Sequence, residues 1–117
     1  GATPIVSSHD FERTPTTPEL EAVMRSHLER GADICKVVTT AKTPADNVSC
    51  LMATWRVSRA AGVVCFAMGE RGLVSRVLSP VFGARFTYAS LEEGLETAPG
   101  QPTITDLRDL YRRLGVE

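Results

Sequence analysis

Lys36 lies inside the apolar run Ala32-Asp33-Ile34-Cys35-Lys36-Val37-Val38. The run otherwise has the pattern of a buried β-strand, where an ammonium is costly unless it is paired, neutralised or used in chemistry. One other residue holds a comparable place. His9 closes the strand-like run Pro4-Ile5-Val6-Ser7-Ser8, just ahead of a loop rich in Pro and Thr. An uncharged amine beside an imidazole is the smallest set of groups that can form an imine with a ketone and move the protons involved. Each residue also has a plainer role when read alone. A lysine stem can pack while its amine reaches the rim, and a histidine at a strand end can simply be hydrogen-bonded.

The elements that must position these two residues alternate along the chain. Strands are expected at Ile5–Ser8, Ile34–Thr39, Val63–Met68 and Arg85–Ala89, each short and rich in Val, Ile, Phe or Cys. A first helix should start at Thr17-Pro18, place Leu20, Val23, Met24 and Leu28 on one face, and end at Gly31. A second should begin near Thr43-Pro44 and align Val48, Leu51, Met52 and Trp55 before Gly62. A third, shorter one uses Leu73, Val74, Val77 and Leu78. The last starts at Thr103-Ile104-Thr105-Asp106 and carries Leu107, Leu110, Tyr111 and Leu114. Four βα units imply an α/β fold with a parallel sheet and right-handed crossovers. They could form a small open sheet or half of an eight-fold barrel, whose usual size is about 250 residues. The pattern alone favours the open sheet, which needs no missing partner.

At 117 residues and 43% apolar content the chain has the size and composition of one domain, 1–117. Thirteen basic and 14 acidic residues leave a net charge of −1, so no basic field favours nucleic acid or a membrane surface. No apolar stretch is longer than about one strand, too short to cross a bilayer. Cys35, Cys50 and Cys65 are an odd number in apolar surroundings with no CxxC, which reads as reduced core thiols in a cytoplasmic protein. The chain opens Gly1-Ala2-Thr3-Pro4 without methionine or a basic-then-apolar leader pattern, which reads as a processed or truncated beginning.

Ligands of parallel α/β folds bind at the carboxyl ends of the strands, where this chain concentrates reactive side chains. His9-Asp10 closes the first strand, Lys36 lies in the second, Met68-Gly69-Glu70 closes the third, and a long loop from Ser90 to Gln101 follows the fourth. Neither GxGxxG nor a Walker pattern occurs, so nucleotide binding by a glycine loop is unsupported. Arg76, by default a solvated arginine, could aim a guanidinium at an anion from the short third helix. Gln101 in Ala98-Pro99-Gly100-Gln101 could be turn chemistry. His27 reads as a surface residue, and Glu92, Glu93 and Glu96 as a solvated loop face.

Taken together, these segments resemble the type I 3-dehydroquinate dehydratases, Schiff-base enzymes of the shikimate pathway. The resemblance rests on Ser8-His9-Asp10-Phe11 with Thr14-Pro15, on Ala32 to Val37, and on Met68-Gly69-Glu70 leading to Ser75-Arg76. It continues through Val81-Phe82-Gly83 and Ala98-Pro99-Gly100-Gln101 to Asp106-Leu107-Arg108. It runs from end to end, and five motifs in order make it specific where any single one would not. That family is a (βα)8 TIM barrel, and the chain resembles its C-terminal half. The implied fold is therefore a (βα)4 half-barrel, with four parallel strands alternating with four helices.

By resemblance, Lys36 condenses with the ketone of 3-dehydroquinate. His9 takes the proton next to the iminium and helps the departing hydroxyl leave, a syn elimination to 3-dehydroshikimate. Arg76 clamps the substrate carboxylate; Gln101, and Thr97 where the family commonly has serine, bind hydroxyls; Phe66, Met68 and Tyr88 wall the pocket. Phe66 and Tyr88 stand where the family often has methionine and phenylalanine, and Leu91–Glu96 is slightly longer than usual. The acidic partner of the histidine, and further substrate-binding arginine and glutamate residues, come from the first half of the family's barrel and have no counterpart here. No metal or organic cofactor is implied, because the imine itself withdraws electrons. A lone half would expose sheet edges and an apolar inner face, so self-association into a homo-oligomer, or pairing with a separate N-terminal half-barrel, is expected. An assembly or binding fragment without turnover is the alternative. A class I aldolase shares the imine chemistry but leaves Arg76 and the Gln101 loop unexplained.

Overall fold

The computed structural model describes residues 4–86 and 104–115. Within them run β1 (Ile5–His9), α1 (Thr17–Glu29), β2 (Ile34–Thr40), α2 (Asp46–Val57), β3 (Gly62–Met68), α3 (Leu73–Leu78) and α4 (Ile104–Leu114). Short 3₁₀ turns at Glu70–Gly72 and Ser79–Phe82 flank α3. The strands form a parallel sheet in the order β1-β2-β3. Ser7 stands beside Lys36 and Lys36 beside Val64, while His9, Val38 and Phe66 share the next level on the same face.

Alternation along the strands divides the sheet into two faces. Cys35 and Val37 of β2, with Val63, Cys65 and Ala67 of β3, pack against Leu20 and Met24 of α1 and Cys50 and Ala53 of α2. On the other face Ile34, Val38, Val64 and Phe66 form a second buried cluster, joined by Met68 and Phe86. Helix α1 begins where expected because Thr16 and Glu19 form a reciprocal capping box and Pro18 fits the first turn. It stops at Gly31, whose φ of +88° suits a residue without Cβ.

Three of the four expected strands are present, each one residue longer than the pattern implied. The fourth differs: Arg85 and Phe86 are not in a strand, and positions 87–89 lie outside the described residues. The Arg85 amide nonetheless donates to the Val63 carbonyl at 2.9 Å, so the chain returns alongside β3. The described fold is thus α/β with a three-stranded parallel sheet and four helices, and the described residues do not complete a (βα)4 unit.

Two helices present faces other than the expected ones. Along α2, Val48 and Trp55 point outward, while Asn47, Cys50, Leu51, Ala53 and Thr54 are buried. Small side chains at Cys50 and Ala53 let this helix sit close on the sheet, which leaves Val48 and Trp55 outside. Ser75 of α3 and Ser79 just after it are buried, whereas Leu73 and Val74 are exposed. Helix α4 buries Leu107 and hydrogen-bonds Tyr111 Oη to the Val77 carbonyl at 2.7 Å. No described helix is long and apolar enough to cross a membrane.

Candidate active site

Strand β1 delivers His9 to the rim of the sheet. The ladder runs one residue further, since the Asp10 amide donates to the Val38 carbonyl at 2.9 Å. Asp10 then turns the chain by accepting the Glu12 and Arg13 amides on Oδ1 at 2.9 and 3.0 Å. Those two bonds hold its carboxyl below the ordinary aspartate value. Thr40 of β2 closes the turn by donating its hydroxyl to the Asp10 carbonyl at 2.9 Å, and Thr14 donates to the Thr40 carbonyl at 2.8 Å. His9 itself is exposed, with its ring stacked on Phe11 at a centroid distance of 5.7 Å.

Lys36 is half-buried at the middle of β2, between Ile34 and Val38 on the same face. Beyond β3 the chain turns at Gly69, where φ is +91°. Gly72 is needed for a different reason: a Cβ there would overlap the Ala67 carbonyl, so α3 starts directly on the end of β3. This close docking carries Arg76 back over the sheet. Its guanidinium carbon lies 5.6 Å from the centroid of the Phe66 ring, a cation–π contact. Burial draws the Arg76 guanidinium below its ordinary value, yet an arginine remains a cation at neutral pH.

His9, Lys36, Val38, Phe66, Met68 and Arg76 line one cavity of about 250 Å³ at the carboxyl ends of the strands. An amine, an imidazole and a guanidinium thus meet over an apolar floor. The set can take a small ketone that also bears a carboxylate: the amine for the carbonyl, the imidazole for protons, the guanidinium fork for the anion. Among the described residues no group of three His, Cys, Asp or Glu side chains could hold a metal ion.

Five of the eight expected site residues therefore lie around one space. Tyr88, Thr97 and Gln101 fall outside the described residues. Val38 joins the lining unforeseen, although its alternation with Lys36 and its position beside Phe66 would have marked it. His27 overturns its surface reading: it is 1% exposed and shares a 2.7 Å hydrogen bond with Ser8 through Nε2. Leu20, Met24 and His27 follow i, i+4, i+7 spacing, which was the available sign that this histidine faces the sheet.

A family model described as Type I 3-dehydroquinase matches residues 1–117. The chain belongs to this family. It is 41% identical over 108 residues to a 3-dehydroquinate dehydratase of Dehalococcoides mccartyi, a match covering 92% of the chain and 48% of the relative. A crystal structure of 3-dehydroquinate dehydratase from Geobacillus kaustophilus superposes with a TM-score of 0.83 at 36% identity, over 95% of the chain and 43% of the other. The type I enzyme from Clostridium difficile, solved with covalently modified comenic acid, also gives 0.83, at 26% identity over 94% and 44% of the two chains. This type I 3-dehydroquinase chain spans about half the length of the curated relatives it matches.

Proposed function

We propose that the chain carries the imine-forming part of a 3-dehydroquinate dehydratase of the shikimate pathway, acting in the cytoplasm. The observation supporting this reading is the single cavity shared by Lys36, His9 and Arg76. Neutral Lys36 attacks the substrate ketone, and the carbonyl oxygen leaves as water to give a protonated imine. That imine draws electrons from the adjacent C–H, whose proton passes to His9. The electron pair then expels the β-hydroxyl, which takes the proton from His9, and a water hydrolyses the imine to release 3-dehydroshikimate and free Lys36. Arg76 holds the carboxylate throughout, and Phe66 and Met68 limit the space. By the family resemblance, Thr97 and Gln101 bind substrate hydroxyls and Tyr88 adds to the pocket wall.

In this reading the chain is one unit, a (βα)4 half of a (βα)8 barrel, and it works with a second half-barrel, either another copy or an N-terminal half. Among the described residues β1 pairs on one side only, and Ile5 on it is 48% exposed, which supports a partner there. An assembly fragment without turnover is the second reading, supported by the half-length match.

Borohydride added with 3-dehydroquinate should leave a stable substrate adduct on Lys36, located by peptide mass, and none on Lys36→Ala. Absence of the adduct from the unaltered chain overturns the imine reading and leaves the assembly fragment. Sedimentation of the purified chain as a compact monomer that unfolds cooperatively overturns the need for a partner half.

A further inference from the structure

Asn47, at the start of α2, is 1% exposed and spends its whole carboxamide between two elements. Its Nδ2 donates to the carbonyls of Pro44 at 2.9 Å and Arg71 at 2.7 Å, and its Oδ1 accepts the Ser75 amide at 2.9 Å. Ser75 is fully buried in turn. Its hydroxyl accepts the Ala67 amide at 2.9 Å and donates to the Gly72 carbonyl at 3.1 Å. The turn from Arg71 to Ser75 is thus held from α2 on one side and from the end of β3 on the other. The next residue is Arg76, whose guanidinium lines the cavity.

These bonds demand a particular side chain. A carboxamide is both donor and acceptor, so it can serve two carbonyls and one amide at once. An aspartate would set an oxygen against two carbonyl oxygens, and an alanine would take the side-chain partner from the buried Ser75 amide and from the Arg71 carbonyl. The network touches neither the amine nor the imidazole. Its mechanical effect falls on the backbone that aims the guanidinium.

We propose that Asn47, acting through Ser75, is a positioning residue that fixes the direction of Arg76 and so sets the affinity of the cavity for a carboxylate-bearing ketone. The proposal rests on the reading of Arg76 as the carboxylate clamp. The test uses the full chain with Asn47→Ala, Ser75→Ala and Arg76→Gln, singly and paired. One readout is the 3-dehydroquinate concentration that half-saturates borohydride trapping on Lys36, together with the limiting trapping rate. The other is the Arg76 Nε–H NMR resonance of the ligand-free chain. Asn47→Ala and Ser75→Ala should each raise the half-saturating concentration about tenfold. The limiting rate should stay within about twofold, the split expected when binding and not chemistry is lost. In the Arg76→Gln background neither should add more than about twofold, since the residue they act through is gone. An unchanged half-saturation point, or the same penalty without Arg76, overturns the proposal. If Asn47→Ala does not fold, Ser75→Ala decides on the same criteria. If the unaltered chain is not trapped at all, the imine reading fails separately. The Arg76 resonance then decides: a shift in Ser75→Ala sustains the positioning role and an unmoved one ends it.

Discussion

Strands β1 and β3 lie on either side of β2, and the protein treats them differently. Six of the seven residues of β3 are buried, while none of the five in β1 is. β3 is packed on both faces, by α2 and α3 behind and by the Phe66 cluster in front. β1 is held by its ladder to β2, by the Ser8–His27 bond and by the turn at Asp10. The pocket wall and the arginine thus come from the firmly packed side, and the imidazole comes from the margin. In the proposed function, the group that must gain and lose protons gains from access to water, whereas the anion clamp gains from a fixed direction.

Stability measurements bear most strongly on this contrast. Val64→Ala on β3 should cost about 2 kcal/mol, because a fully buried valine loses its methyl groups into a packed space. Ile5→Ala on β1 should cost about 1 kcal/mol or less, since that side chain is already half in water. Urea midpoints giving equal penalties would show β1 to be packed as firmly as β3.

The next effect concerns pH. Burial holds the His27 imidazole below its ordinary value, and the nearby Arg30 charge acts in the same direction. The folded chain then binds fewer protons than the unfolded chain between the folded value and the ordinary 6.5. Stability should be level above that window and fall as pH drops through it. His27→Gln, which cannot titrate, should flatten the fall between pH 7 and pH 5. An unchanged slope would mean that β1 gains nothing from a neutral His27.

The smallest effect is local. The Asp10 carboxyl is held low by two amide hydrogen bonds, so its contribution to the turn is complete above the ordinary aspartate value and is lost as pH falls through the lowered one. The Glu12 and Arg13 amide resonances should shift together in acid, with a midpoint below that of an ordinary aspartate, and should not titrate in Asp10→Ala. Independent shifts would remove Asp10 as the anchor of the His9 loop.

How much of this could be read beforehand varied with the kind of residue. The strands that carry His9 and Lys36 were legible because a buried parallel strand leaves a short, nearly pure apolar run. Helix α1 was legible from Pro18, Gly31 and its apolar stripe. The buried face of α2 was legible only at Leu51, because Asn47, Cys50, Ala53 and Thr54 are small or polar, and size-weighted periodicity points toward Val48 and Trp55. The same blindness hid Ser75 and His27, whose burial depends on partners distant in sequence. His9, Lys36, Phe66, Met68 and Arg76 were singled out together only as a family pattern. Their convergence on one cavity depends on the Gly69–Gly72 turn, which no periodicity describes.

Cys35, Cys50 and Cys65 all point to the helix-covered side of the sheet and are buried there. Their sulfurs are sealed unless helices and strands part. Thiol-selective reagents would therefore clock the parting of the layers, because a modified sulfur records that the layer sealing it has opened.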